Sequence, residues 1–124
     1  MLKMIFIIGT GSFVGGVSRF LISRMIHNYF VSGFPVGTLS VNIIGCMIIG
    51  FVYGISEHSN FLHPDWRLFL TIGFCGGFTT FSAFASENVV MIQDRNFILF
   101  ALYTGLSVFF GILSTYLGIM AARF

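Results

Sequence analysis

Four apolar stretches, about 4–26, 36–56, 66–92 and 97–122, follow one another along this chain. Each is long enough to cross the hydrocarbon of a bilayer, which takes roughly 20 mostly apolar residues. Polar and turn-forming residues mark the breaks. HNYFVSGFP closes the first stretch with Pro35, EHSNFLHPD follows the second, and QDRN is a tight turn that makes the third and fourth stretches antiparallel neighbours. The pattern predicts an all-α integral membrane protein with four transmembrane helices, in a single domain spanning residues 1–124 with no linker.

Composition sharpens this. Of the 124 residues, 56% are hydrophobic and only 8% charged, where a soluble domain carries about 25% charged residues. With a mean hydropathy of +0.97, the chain lacks the polar surface to face water, and lipid is its solvent. The formal charge of +2 is too small and too scattered to suggest nucleic acid as a partner. The N-terminal MLKMIFIIGTG mimics a signal peptide, but Arg19 and Arg24 follow without a small-residue cleavage site, so the first segment is expected to stay. Cys46 and Cys75 lie in apolar segments and form no CxxC pair, which reads as small buried hydrophobes and not metal ligands. His27, His58 and His63 are placed in loops, with no nucleophile or metal constellation around them, so the chain is not expected to be an enzyme.

Orientation is almost unbiased. An even number of spans puts Lys3, Arg67 and Arg123 on one side and Arg24 and Arg95 on the other, nearly equal positive charge on the two faces. Such a chain can insert both ways and pair as an antiparallel dimer. Small residues recur where helices would meet: Gly11 and Gly15, then Cys46, Gly50 and Gly54, then Thr104, Ser107, Gly111, Ser114 and Gly118. For the hydroxyls of the last stripe, packing and pore lining are both open.

Polar groups at membrane depth ask for a reason. Arg19, in GGVSRF, lies too deep to be an end anchor; it either snorkels or pairs at an interface. Asn42, in GTLSVNIIGC, either bonds a neighbouring helix or lines a polar path. Glu87, in FASENVV, either reaches water near a span end or has a vestibule or proton-linked role. The stretch GFCGGFTTF places Gly76 and Gly77 before Thr79 and Thr80, all weak helix formers. Together they predict that the third helix breaks near mid-membrane, and unwound backbone there points to a binding site. Phe74, Phe78, Phe81 and Phe84, spaced four, three and three, predict one aromatic helical face with Thr79 and Ser82 beside it. The positive edges of such rings can contact an anion without a fixed charge.

With these motifs in order, GGVSRF, GTLSVNIIGC and GFCGGFTTFSAFASE, the chain closely resembles the Fluc (CrcB) family of fluoride channels over its whole length. The resemblance implies an antiparallel, dual-topology homodimer in the cell inner (plasma) membrane, with two fluoride pores at its interface. It implies a structural sodium ion on the dimer axis, held by the backbone carbonyls of Gly76 and Thr79 from both subunits. It assigns Asn42, Phe81, Phe84 and Ser82 to the pore, Tyr103, Ser107 and Thr115 to a polar track on the fourth span, and Arg19 to the interface. Gly111 stands where some members have serine. The rival is a small four-span proton-coupled exporter of cationic compounds, which needs a carboxylate in its first span; here that span has Arg19 and no acid.

Overall fold

The computed structural model describes residues 1–30 and 33–123, so Val31 and Ser32 of the predicted first loop lie outside the described residues. Four helical segments are long and apolar enough to cross a membrane: Leu2–Tyr29, Val36–His58, Pro64–Gln93 and Phe97–Ala122. Helices α1 (Leu2–Tyr29), α2 (Val36–His58) and α6 (Phe97–Ala122) run unbroken. The third span is composite: α3 (Pro64–Leu68), a π-helical run Phe69–Cys75, α4 (Gly76–Phe78) and α5 (Phe81–Gln93).

The small-residue stripes meet as expected. α2 lies along α6, with Gly50 of α2 against the Thr115 carbonyl and Gly118 of α6 against Met47 and Phe51. α1 crosses the π-helical run and α4. A Cβ on Gly11 would come within 2.7 Å of the Phe69 carbonyl oxygen, and one on Gly77 within 2.5 Å of the Ser12 carbonyl oxygen. Backbones this close need glycine, and in lipid such close packing is a main source of helix association. The outward faces are oily: Phe6, Phe13 and Phe20 of α1 and Val108, Phe109 and Ile112 of α6 are exposed, as lipid-facing side chains should be.

At one end of the bundle, Lys3 pairs with Asp65 at 2.7 Å and Arg123 with Glu57 at 3.4 Å, tying both terminal helices to the central pair. These pairs are exposed and worth about 0–1 kcal/mol each. At the other end, the turn between α5 and α6 carries Arg95 at φ 57°, the left-handed conformation that closes it. The histidines differ from the loop placement: His27 and His58 sit in the last turns of α1 and α2, and His63 caps α3 by accepting from the Asp65 amide at 3.2 Å.

The third span does break, but not at its glycines. Gly76 keeps helical angles (φ −62°, ψ −37°). The chain opens at Thr79 (φ −85°, ψ 155°) and Thr80 (φ −147°, ψ 114°). The cause is a competitor for the backbone. Asn42 of α2 accepts from the Thr80 amide through Oδ1 at 2.8 Å and donates from Nδ2 to the Thr80 carbonyl at 3.2 Å. An amide side chain supplies both a donor and an acceptor, so it can satisfy the opened peptide where lipid offers no partner. Thr80 Oγ1 then caps α5 through the Ala83 amide at 3.2 Å. The break also divides the predicted aromatic face. Phe74 and Phe78 stack at 5.2 Å with Phe78 buried, while Phe81, beyond the break, is 78% exposed.

Candidate functional site

The break is flanked by two cavities. On one side lies a groove of about 420 Å³ between α2, the third span and α6. Asn42, Gly76, Thr79, Phe81, Phe84 and Ser107 all line it, so six of the residues singled out in the sequence meet here. No charged side chain is among the described residues lining this groove. On the other side, a wider vestibule of about 760 Å³ opens toward the α5–α6 turn, with Arg19, Arg24, His27, Glu87 and Asp94 on its walls. Thr80 borders both cavities.

The groove is a polar lane in an apolar wall. Thr79 returns its hydroxyl to the Cys75 carbonyl at 2.8 Å, which is how a hydroxyl is satisfied at membrane depth. Ser107 is different: its Oγ is buried without a hydrogen-bond partner among the described residues. A buried unpaired hydroxyl is costly and asks for a ligand or water. The Phe81 and Phe84 rings, both lining the groove, lie 5.7 Å apart at a tilt of 44°.

Glu87 is where the sequence left two readings open, and the structure settles its geometry. Its Oε1 accepts from the Thr38 hydroxyl and its Oε2 from the Tyr103 hydroxyl, each at 2.6 Å. These are short, charge-assisted bonds, and they hold the carboxylate at the inner end of the vestibule. Tyr103 is fully buried and packs edgewise on Phe34 at 5.5 Å and against Phe84 at 5.1 Å. Through these contacts the vestibule carboxylate and the groove phenylalanine rest on one tyrosine.

The remaining expected residues fall elsewhere in the protomer. Arg19 lines the vestibule, half-buried, with no ion-pair partner among the described residues. Ser82 is exposed outside both cavities, its hydroxyl 3.4 Å from that of Thr80. Thr115 bonds the Gly111 carbonyl at 2.9 Å and sits at the α2–α6 crossing, away from the groove. Thr38 and Asn88 were not singled out by the sequence, and Thr80 was named there only as a weak helix former. A hydroxyl four residues before Asn42 on the same helix, and an amide four residues after Phe84, were the available signals.

The family model described as CrcB-like protein, Camphor Resistance (CrcB) matches residues 6–119. The chain is 40% identical over 122 residues to a "Fluoride-specific ion channel FluC" of Flavobacterium psychrophilum, covering 98% of each chain. It is 41% identical over 117 residues to the protein of that name from Chlorobium phaeobacteroides, covering 94% of this chain and 91% of the relative. A third, from Azobacteroides pseudotrichonymphae, is 39% identical over 124 residues, covering 100% and 99%.

Proposed function

The chain belongs to the CrcB family, and on that premise we propose that it is a fluoride-selective channel that lets toxic fluoride leave the cell down its electrochemical gradient. The observation that carries this reading is the uncharged groove at the break, lined by Asn42, Phe81, Phe84 and Ser107, the last with a buried hydroxyl that has no hydrogen-bond partner among the described residues. Fluoride is small and strongly hydrated. A pore for it must replace water with close donors, and the Ser107, Thr80 and Asn42 side chains that line the groove would supply them. With no charged side chain among the described residues lining the groove, no side-chain cation would pair directly with the ion and hold it there.

The finer reading is an antiparallel homodimer of dual topology, multi-pass in the inner membrane, with a pore on each side of its interface. The near-equal positive charge on the two faces supports it, as does a groove left open on the protomer surface, which a second copy would close. Arg19, on the vestibule wall, would stand at that interface, and Ser82, Tyr103 and Thr115 would extend the polar path.

A structural sodium ion at the dimer centre fits the break. In a continued helix the Thr80 amide would donate to the Gly76 carbonyl; here it donates to Asn42, which releases that carbonyl. A Cβ at Gly76 would meet nothing within 4 Å, so the protomer leaves the approach clear. The carbonyls of Gly76 and Thr79 would hold the ion, a hard cation suited to oxygen donors. It would supply fixed positive charge beside an otherwise neutral groove.

The exporter alternative requires coupling to protons. Liposomes containing only this purified protein separate the two. Fluoride efflux without a pH gradient is expected of the channel, whereas efflux of an organic cation, and only under a pH gradient, would establish the exporter.

A further inference from the structure

Asn88 is a buried amide in a lipid-facing helix, 7% exposed, and the channel reading gives it no task. Its Nδ2 donates to the Phe84 carbonyl at 3.0 Å, and its Oδ1 accepts from the Thr104 hydroxyl of α6 at 3.3 Å. We propose that Asn88 and Thr104 form a positioning rung that sets the rotation of α5 against α6, and so fixes where the Phe84 ring and the Glu87 carboxylate stand. The inference rests on the channel reading.

α5 needs such a device. It begins beyond an extended break, so the helix before it does not dictate its rotation. Its outer face, with Val89 and Val90, is exposed. In lipid, oily side chains gain little by turning inward, so apolar surface alone does not fix a helix's roll. What faces inward is Phe84, Glu87, Asn88 and Met91, one helical face by spacing. Two consecutive residues of that face bond two consecutive residues of α6, Glu87 to Tyr103 and Asn88 to Thr104. Neighbours on a helix point about 100° apart. One rotational setting therefore satisfies both rungs, where a single bond would act as a pivot. The bond to the Phe84 carbonyl turns the Asn88 oxygen toward α6, so the amide has only one useful orientation.

Single-channel recording in planar bilayers tests this, because it counts only folded channels and is blind to yield and stability. Asn88→Leu and Thr104→Val should each lower the time-averaged fluoride current through a single channel roughly five-fold, the shift in population between helix settings that losing one interhelical bond allows. The double variant should be no worse than the worse single, and Thr104→Ser, which keeps the hydroxyl, should conduct as wild type does. Thr104→Val is nearly isosteric and keeps the test alive if Asn88→Leu does not fold. Thr104→Val within two-fold of wild type, or a double variant whose loss is the product of the singles, overturns the rung. Wild-type protein without fluoride current would overturn the channel reading and this inference together; wild-type current with unaltered variants overturns this inference alone.

Discussion

Replacing Asn42 by leucine removes both bonds that hold the opened Thr80 peptide, at 2.8 Å to its N–H and 3.2 Å to its carbonyl. Leucine has the same branched, four-heavy-atom side-chain shape and is somewhat bulkier, so the main loss is polar. Two backbone groups of a residue only 9% exposed are left without partners. Each unsatisfied group costs about 1–3 kcal/mol. The groove admits water to one side of the break, which favours the lower end, so the expected destabilisation is about 2–4 kcal/mol. The chain has one local escape. The Thr80 amide can return to the Gly76 carbonyl and close the helix, which would recover one bond while erasing the break. Either way fluoride efflux should be lost, and the assay is thermal unfolding in detergent paired with efflux from liposomes. A leucine variant as stable as wild type, with efflux intact, would refute the view that Asn42 holds the break open. Asn42→Asp against Asn42→Ser separates structure from path: the acceptor-only anion beside the groove should pass less fluoride than serine, and equal flux would count against Asn42 facing the ion.

Phe81→Ile and Phe84→Ile should each lower fluoride flux at least several-fold and leave the dimer intact, since ring edges go while apolar volume stays; two variants conducting at the wild-type rate would remove the ring-edge role. Lysines added to the QDRN turn should orient every copy one way and abolish activity unless an oppositely biased copy is co-expressed; full efflux from one strongly biased variant would rule out antiparallel pairing. Replacing all sodium by a bulky organic cation should weaken the dimer by mass action and lower flux, read by dimer dissociation and efflux after long exchange, with no dependence on the direction of a sodium gradient. Unchanged flux and stability would mean that the released Gly76 carbonyl serves something else.

The four spans and their glycine contacts were legible because lipid imposes two local rules, apolar length and small residues where backbones touch. Gly11, Gly15, Gly50 and Gly118 could be assigned from spacing alone. The break falls inside the predicted Gly76–Thr80 stretch, at Thr79 and Thr80; which residues open is decided by Asn42, 38 residues earlier, whose amide outbids the helix for the Thr80 peptide. Propensity marked the stretch but cannot weigh a partner from another helix. The break also split the phenylalanine stripe, since a face counted at helical spacing is lost where the helix stops. Glu87 stayed ambiguous for a related reason: its role is set by Thr38 and Tyr103, on two other helices, and nothing adjacent to it in sequence announces them. Of the fourth-span hydroxyls, the family resemblance put Ser107 and Thr115 on one track, yet of these two only Ser107 reaches the groove; Thr115 lies two turns farther along α6, where α2 covers it.

The central claim is passive, selective conduction of fluoride, and the reversal potential of a planar bilayer holding only the purified protein tests it most directly. With fluoride at unequal concentrations on the two sides, chloride making up the difference and equal pH, the current should reverse at the potential set by the fluoride gradient, and doubling chloride on either side should leave it in place. A reversal potential that follows chloride, or that appears only when a proton gradient is imposed, would contradict the account.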